Sequence, residues 1–204
     1  MKKLFLTAIC ILFAVPVFAQ IQPQGFSLGL HGSGMFPLGD YSSYSIANVG
    51  GGADLEYVLP ENQQPFGDKC KFGVFLSAGF SHSFVKADTP LASLNDILID
   101  TGITMRFPIV NGEKFKMALV PELGGGLIFH MPKAKDLDGT QLKSMYMNPL
   151  VSIKPSVRFI LPKNLEIMVN PIYTMAFEKK ALQHELGLQL GLMWHISDFR
   201  NGTN

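Results

Sequence analysis

The ionisable side chains of this chain are spread at strand-like spacing, one or two per stretch, rather than gathered in a compact motif. Glu56, Asp100, Arg106, Lys116, Glu122, Lys154, Arg158, Glu166 and Glu185 each sit on the polar parity of an alternating apolar/polar stretch. Residues i and i+2 share one face of a strand, so each of these charges points the same way as its small Gly and Ser neighbours. If that face is an enclosed interior, a charge there without a partner costs several kcal/mol, and the set must pair. Glu122 with Lys154, and Arg158 with Glu166, are the expected cross-strand pairs. Two chemistries follow: a structural plug of salt bridges and hydrogen bonds, or a gate on a path for small solutes.

Catalysis asks for a nucleophile, a base and an orienting group brought together. In "FSHSF", Phe80 to Phe84, the adjacent Ser81, His82 and Ser83 put the histidine on the opposite face from both serines. His31 and Ser33 do share a face, but no acid partner is assigned to them, and no catalytic residue is proposed. His130, His184 and His195 fall on separate stretches without ligand spacing, so no metal is expected. Cys10 lies in the N-terminal apolar run, which leaves Cys70 alone downstream and no pair for a disulfide or redox site. The "GGG" runs at 50–52 and 124–126 lack the Lys and the strand-to-helix context of a phosphate loop. No cofactor is implied. A net charge of +1 and no basic stripe argue against nucleic acid.

The elements that would position these residues are strands. "HELGLQLGLMWHI", His184 to Ile196, sets Leu186, Leu188, Leu190, Leu192, Trp194 and Ile196 against Glu185, Gly187, Gln189, Gly191, Met193 and His195. Eight such stretches are read, near 26–36, 47–59, 71–84, 97–107, 114–131, 150–161, 165–177 and 184–196, separated by turn chemistry such as the "NG" at Asn111–Gly112. In the third only Phe75 breaks the polar set. Pro121, Pro155 and Pro171 fall inside three of the strands, where local bulges are expected. Longer connectors are read at one end and shorter ones at the other.

The apolar parity meets either a core or lipid. Its opposite parity is rich in Gly and Ser, which suits a crowded interior. Charged residues are 16% of the chain, against about 25% in an average soluble protein. Aromatics on the apolar parity gather toward strand ends. Phe26, Tyr57, Phe72, Phe107, Phe115, Phe159 and Trp194 form one belt, and Phe36, Phe84, Phe129 and Phe177 the other, the pattern of membrane-interface girdles. The fold expected is all-β, an eight-stranded antiparallel up-and-down transmembrane β-barrel. Residues 1–19, with Lys2 and Lys3 before an apolar run and a small residue at Ala19, read as a cleaved signal peptide, and 20–204 as one barrel domain.

From Phe26 to Ile196 the chain resembles the small bacterial outer-membrane β-barrel family, the OmpW-like and opacity-protein-like group, on strand pattern and signal peptide. The resemblance implies a place in the bacterial outer membrane, contact with its lipid, and recognition by the barrel-assembly machinery of a terminal aromatic strand, here closing on Trp194 and Ile196. A monomer is the default expectation. The function implied is non-enzymatic, either structural or porin-like. The segment from Pro132 to Tyr146 is the largest exposed candidate for an external ligand, against the plainer reading of a solvated loop. Two alternatives stand beside this: a secreted soluble barrel holding an apolar ligand inside, and an outer-membrane lipid-modifying enzyme.

Overall fold

The computed structural model describes residues 24–112, 116–134, 145–162, 164–178 and 182–196. The expected signal peptide lies outside them. The alternating stretches form eight strands: β1 (Gly25–Leu38), β2 (Ser45–Val58), β3 (Lys71–Val85), β4 (Leu91–Asn111), β5 (Lys116–Ala134), β6 (Tyr146–Leu161), β7 (Leu165–Phe177) and β8 (Leu182–His195). Each pairs antiparallel with its neighbours in sequence, and β8 returns to β1 to close a barrel. Closure leaves no edge strand with unpaired backbone, which is the condition for spanning lipid with strands.

The apolar parity faces outward. Along β8, Leu186, Leu190 and Trp194 are more than half exposed, while Gln189, Met193 and His195 between them are buried. The same alternation runs through every strand, so Phe26, Leu30, Phe36, Phe80 and Leu123 contribute to one continuous apolar outer surface. The interior is polar and filled with side chains, as expected of an eight-stranded barrel. This removes the soluble alternative, which needs the apolar parity inside.

Both strand termini, Gly25 and His195, lie at one end of the barrel with the connections 59–70, 112–115 and 162–164. We call this the terminal end. The loop end carries 39–44, 86–90, 135–145 and 178–181. Connector length does not separate the ends as the sequence suggested: 59–70, which holds two 3-10 turns, is longer than every loop-end connection. The tightest turn, 162–164, is closed by Asn164 at φ 61°, a left-handed conformation that Asn tolerates better than most residues.

The three prolines cause no slip. Pro121 faces Pro155 in an unshifted register, and the β6–β7 register is the same on both sides of Pro155 and Pro171. Pairing is interrupted there between Ile153↔Tyr173 and Val157↔Val169, and on β4–β5 between Thr104↔Glu122 and Phe107↔Leu119. Proline removes a donor without adding a residue, so bonds are lost while facing is kept. The register shifts occur elsewhere, at Ser45/Ala47, Leu91/Ser93 and Pro108/Val110.

Candidate functional site

The inner faces of β2, β4, β5, β6 and β7 bring a charged cluster together across the lumen, toward the terminal end. At its centre Arg106 of β4 is buried completely and grips two carboxylates from non-adjacent strands. Its Nε and Nη2 donate to Glu56 of β2 at 2.9 and 3.1 Å, and its Nη1 and Nη2 donate to Glu166 of β7 at 2.8 and 3.0 Å. Paired donation of this kind fits the planar fork of arginine and no other side chain.

Arg158 extends the cluster. Its Nη1 donates to Glu56 at 2.7 Å and lies 3.5 Å from Glu166, while its Nη2 donates to Glu122. Lys154 stands 3.1 Å from Asp100 and 3.8 Å from Glu122, and its ammonium lies 4.5 Å from the centre of the Phe75 ring. That contact accounts for the one aromatic on the polar parity of β3, since a cation over a ring face is attracted by its quadrupole. Gly124 makes the room: a Cβ there would strike the Asp100 carboxylate, the Ser152 hydroxyl and the tip of Phe75.

Four acidic side chains (Glu56, Asp100, Glu122, Glu166) thus meet three basic ones (Arg106, Lys154, Arg158), with His195 beside them. His195 Nε2 approaches Glu166 Oε1 to 3.1 Å without hydrogen-bond alignment, and its Nδ1 is hydrogen-bonded to Ser27 Oγ at 2.6 Å. Serine, histidine and carboxylate in a row resemble a nucleophile relay. Here all three are buried, and Glu166 is already committed to Arg106. With Ser27 only 1% exposed, the row closes the cluster.

Of the charges named from sequence, two stand apart. Lys116 sits half-buried at the start of β5 and makes none of the cluster's ion pairs. Glu185 lies toward the loop end, accepting from Asn48 Nδ2 and, at 3.4 Å, from Thr174 Oγ1. Facing inward is a property of parity, but meeting depends on height along the barrel. The structure also shows partners that sequence reasoning missed. His31 pairs with Asp54 at 2.7 Å, and Ser77 donates to the same carboxylate at 2.7 Å. His130 pairs with Asp96 at 2.7 Å, because β4 begins at Leu91 and carries Asp96 onto the inner wall.

The aromatics named as belts all sit on outward positions where they are described. Phe26 and Tyr57 are paired across β1 and β2 with ring centres 4.7 Å apart. Phe72, Phe107, Phe159 and Trp194 lie toward the terminal end, and Phe36, Phe84, Phe129 and Phe177 toward the loop end. Phe115 lies outside the described residues. Beyond the charged cluster, Leu98, Ile128, Leu150 and Ala176 pack an apolar layer across the inside of β4–β7. On the loop-end side of that layer lies a cavity of about 670 Å³, the mouth, between inward groups such as Tyr41 and Asn148 and rim residues such as Met147 and Phe177.

A closed eight-stranded barrel with an apolar exterior and a filled polar lumen has a clear counterpart. Neisserial surface protein A superposes with a TM-score of 0.50 at 11% identity, covering 86% of this chain and all of that one. The fold is that of the small outer-membrane β-barrels. The N-terminal barrel domain of OprF from Pseudomonas aeruginosa (TM-score 0.46, 12% identity, covering 85% of this chain and 100% of that one) and Ail of Yersinia pestis (0.44, 13%, covering 84% and 99%) are also similar. No protein-family model and no curated protein matches the chain.

Proposed function

We propose that this chain is a bacterial outer-membrane barrel of non-enzymatic function whose lumen is sealed by the charged cluster, and which acts through the surface it presents at its loop end. One observation carries the reading: Arg106 ties β2 to β7 across the lumen through two doubly bonded carboxylates. An ion crossing at this level must displace bonds between groups taken wholly out of water, where a broken pair leaves an uncompensated charge. The cluster is therefore a plug, and the porin-like reading is the weaker one.

The continuous apolar outer surface supports residence in outer-membrane lipid, with the aromatic belts at its two interfaces. The signal-peptide pattern of residues 1–19 supports export, and the outward Leu186 to Trp194 of β8, followed by Ile196, supports recognition by the barrel-assembly machinery. With Gly25 and His195, the outer ends of β1 and β8, on the periplasmic side, the loop end faces outside. The similarity to OmpW-like and opacity-like barrels belongs to this proposal. So do the monomeric state and an external ligand for the segment 132–146, of which 135–144 lie outside the described residues.

Planar-bilayer recording of the folded protein tests the plug. The native chain is expected to give no conductance above the lipid background, and the pair Arg106→Ser with Arg158→Ser is expected to give discrete channels. Steady conductance from the native chain would overturn the sealed-lumen reading.

A further inference from the structure

The mouth at the loop end falls within the roughly 300–1,000 Å³ typical of small-molecule sites, at about 670 Å³. Its walls are mostly apolar, with Leu91, Leu94, Met147 and Phe177 beside three prolines, and two further kinds of group stand among these. Tyr41, Tyr44 and Tyr146 supply aromatic surface, and Tyr146 is backed by the His130 ring with centres 4.7 Å apart. Among them stand the carboxamides of Asn148 and Gln183 and the carboxylate of Glu178. Asn148 is only 7% exposed, and its Nδ2 has no hydrogen-bond partner among the described residues. A buried N–H in that condition carries its desolvation penalty uncompensated until an acceptor reaches it.

These groups discriminate between ligand classes. No Lys or Arg lines the mouth among the described residues, so a phosphate, sulfate or carboxylate would enter without a countercharge. An acyl chain would suit the aromatic and proline surface but leave Asn148 Nδ2 unpaired, and a quaternary ammonium, which has no acceptor, would do the same. A ring carrying hydroxyls answers both the polar groups and the tyrosines: its oxygens accept, its O–H groups donate, and its C–H face packs on an aromatic ring.

We propose that the mouth binds a neutral saccharide, with a sugar oxygen accepting from Asn148 Nδ2, a hydroxyl donating to Glu178 and a C–H face lying on Tyr146. Which sugars reach it rests on the outward orientation argued above. Two sources share this chemistry: the cell's own lipopolysaccharide and glycans of other cells.

Saturation-transfer NMR and calorimetry on the folded barrel in phosphatidylcholine nanodiscs test the proposal. The neutral probes are maltose, lactose, N,N′-diacetylchitobiose and a neutral oligosaccharide released from lipopolysaccharide; sucrose octasulfate and choline are the charged comparators. At least one neutral probe is expected to bind. Asn148→Leu is expected to weaken it about fivefold or more, as loss of one hydrogen bond implies, and Tyr146→Ala to weaken it further. Heat-modifiable gel mobility confirms that each variant is folded, and Asn148→Leu alone decides if Tyr146→Ala is not.

No neutral probe bound at about 10 mM, preference for sucrose octasulfate or choline, or an unchanged affinity in Asn148→Leu would each overturn the proposal. Preference among the neutral probes separates the two sources. Labelling of a Glu178→Cys variant on intact cells, with Cys70→Ser to remove the native thiol, reports orientation separately. Its failure would overturn the outward reading and leave the nanodisc result standing.

Discussion

The two halves of the lumen are built from similar side chains and reach opposite states. Toward the terminal end, the guanidinium groups of Arg106 and Arg158 are saturated by carboxylates from β2, β5 and β7. Toward the loop end, Asn148 keeps a donor without a partner in a cavity with no Lys or Arg on its walls among the described residues. The apolar layer of Leu98, Ile128, Leu150 and Ala176 separates them. A barrel interior is thus not uniformly filler: ion pairs close the passage toward one end, and toward the other a buried carboxamide donor borders open space.

Substitutions in the two halves should differ in size and even in sign. The largest effect is expected from Arg106→Met, which removes four buried hydrogen bonds and leaves Arg158 as the one guanidinium near Glu56 and Glu166; it should lower stability by about 3–5 kcal/mol, read by urea unfolding in lipid vesicles. Gly124→Val should cost about 1–3 kcal/mol by overpacking against Asp100, Ser152 and Phe75. Ser27→Ala removes the hydroxyl beside His195 and should cost about 1 kcal/mol. In the mouth, Asn148→Leu should be neutral or slightly stabilising, within about 0.5 kcal/mol of native. Equal losses from Arg106→Met and Asn148→Leu would erase the distinction.

The smallest effect concerns a residue in neither half. Burial pushes the Cys70 thiol above its ordinary range, so little thiolate forms near pH 8. Maleimide is expected to label the native barrel slowly and the urea-unfolded chain fast. Rapid labelling of native protein would show that the 59–70 connection opens freely.

The fold was legible because the side-chain period of two is unambiguous over strands this long, and a barrel assigns each parity one environment. Leu186 to Trp194 could be assigned to one face from sequence alone. Height is another matter. Whether Glu122 meets Lys154 or Glu185 joins them depends on the stagger of successive strands, and that follows from register around the whole cylinder rather than from any local pattern. Hence Glu185 and Lys116 were grouped with charges they do not touch. Asp54 shares the parity of Glu56, but nothing local points to its partner His31 on the neighbouring strand, and Asp96 falls before the strand read from 97 because Leu91 to Asn95 carry too many turn-like residues to read as strand. The prolines misled for a different reason. An inserted residue changes facing, whereas a missing donor leaves it intact, and sequence does not show which of the two a strand has adopted.

Pro155 and Pro171 have a mechanical consequence. At their height two residues face each other across β6–β7 with no N–H between them, and the neighbouring β4–β5 ladder is interrupted on the other side of Pro121. Hoop strength in a closed sheet comes from the bonds between adjacent strands, so the wall is anisotropic. A barrel stretched around its girth should yield first along the line between β6 and β7. Pro155→Val with Pro171→Val, which restores two donors, should move that line of weakness elsewhere.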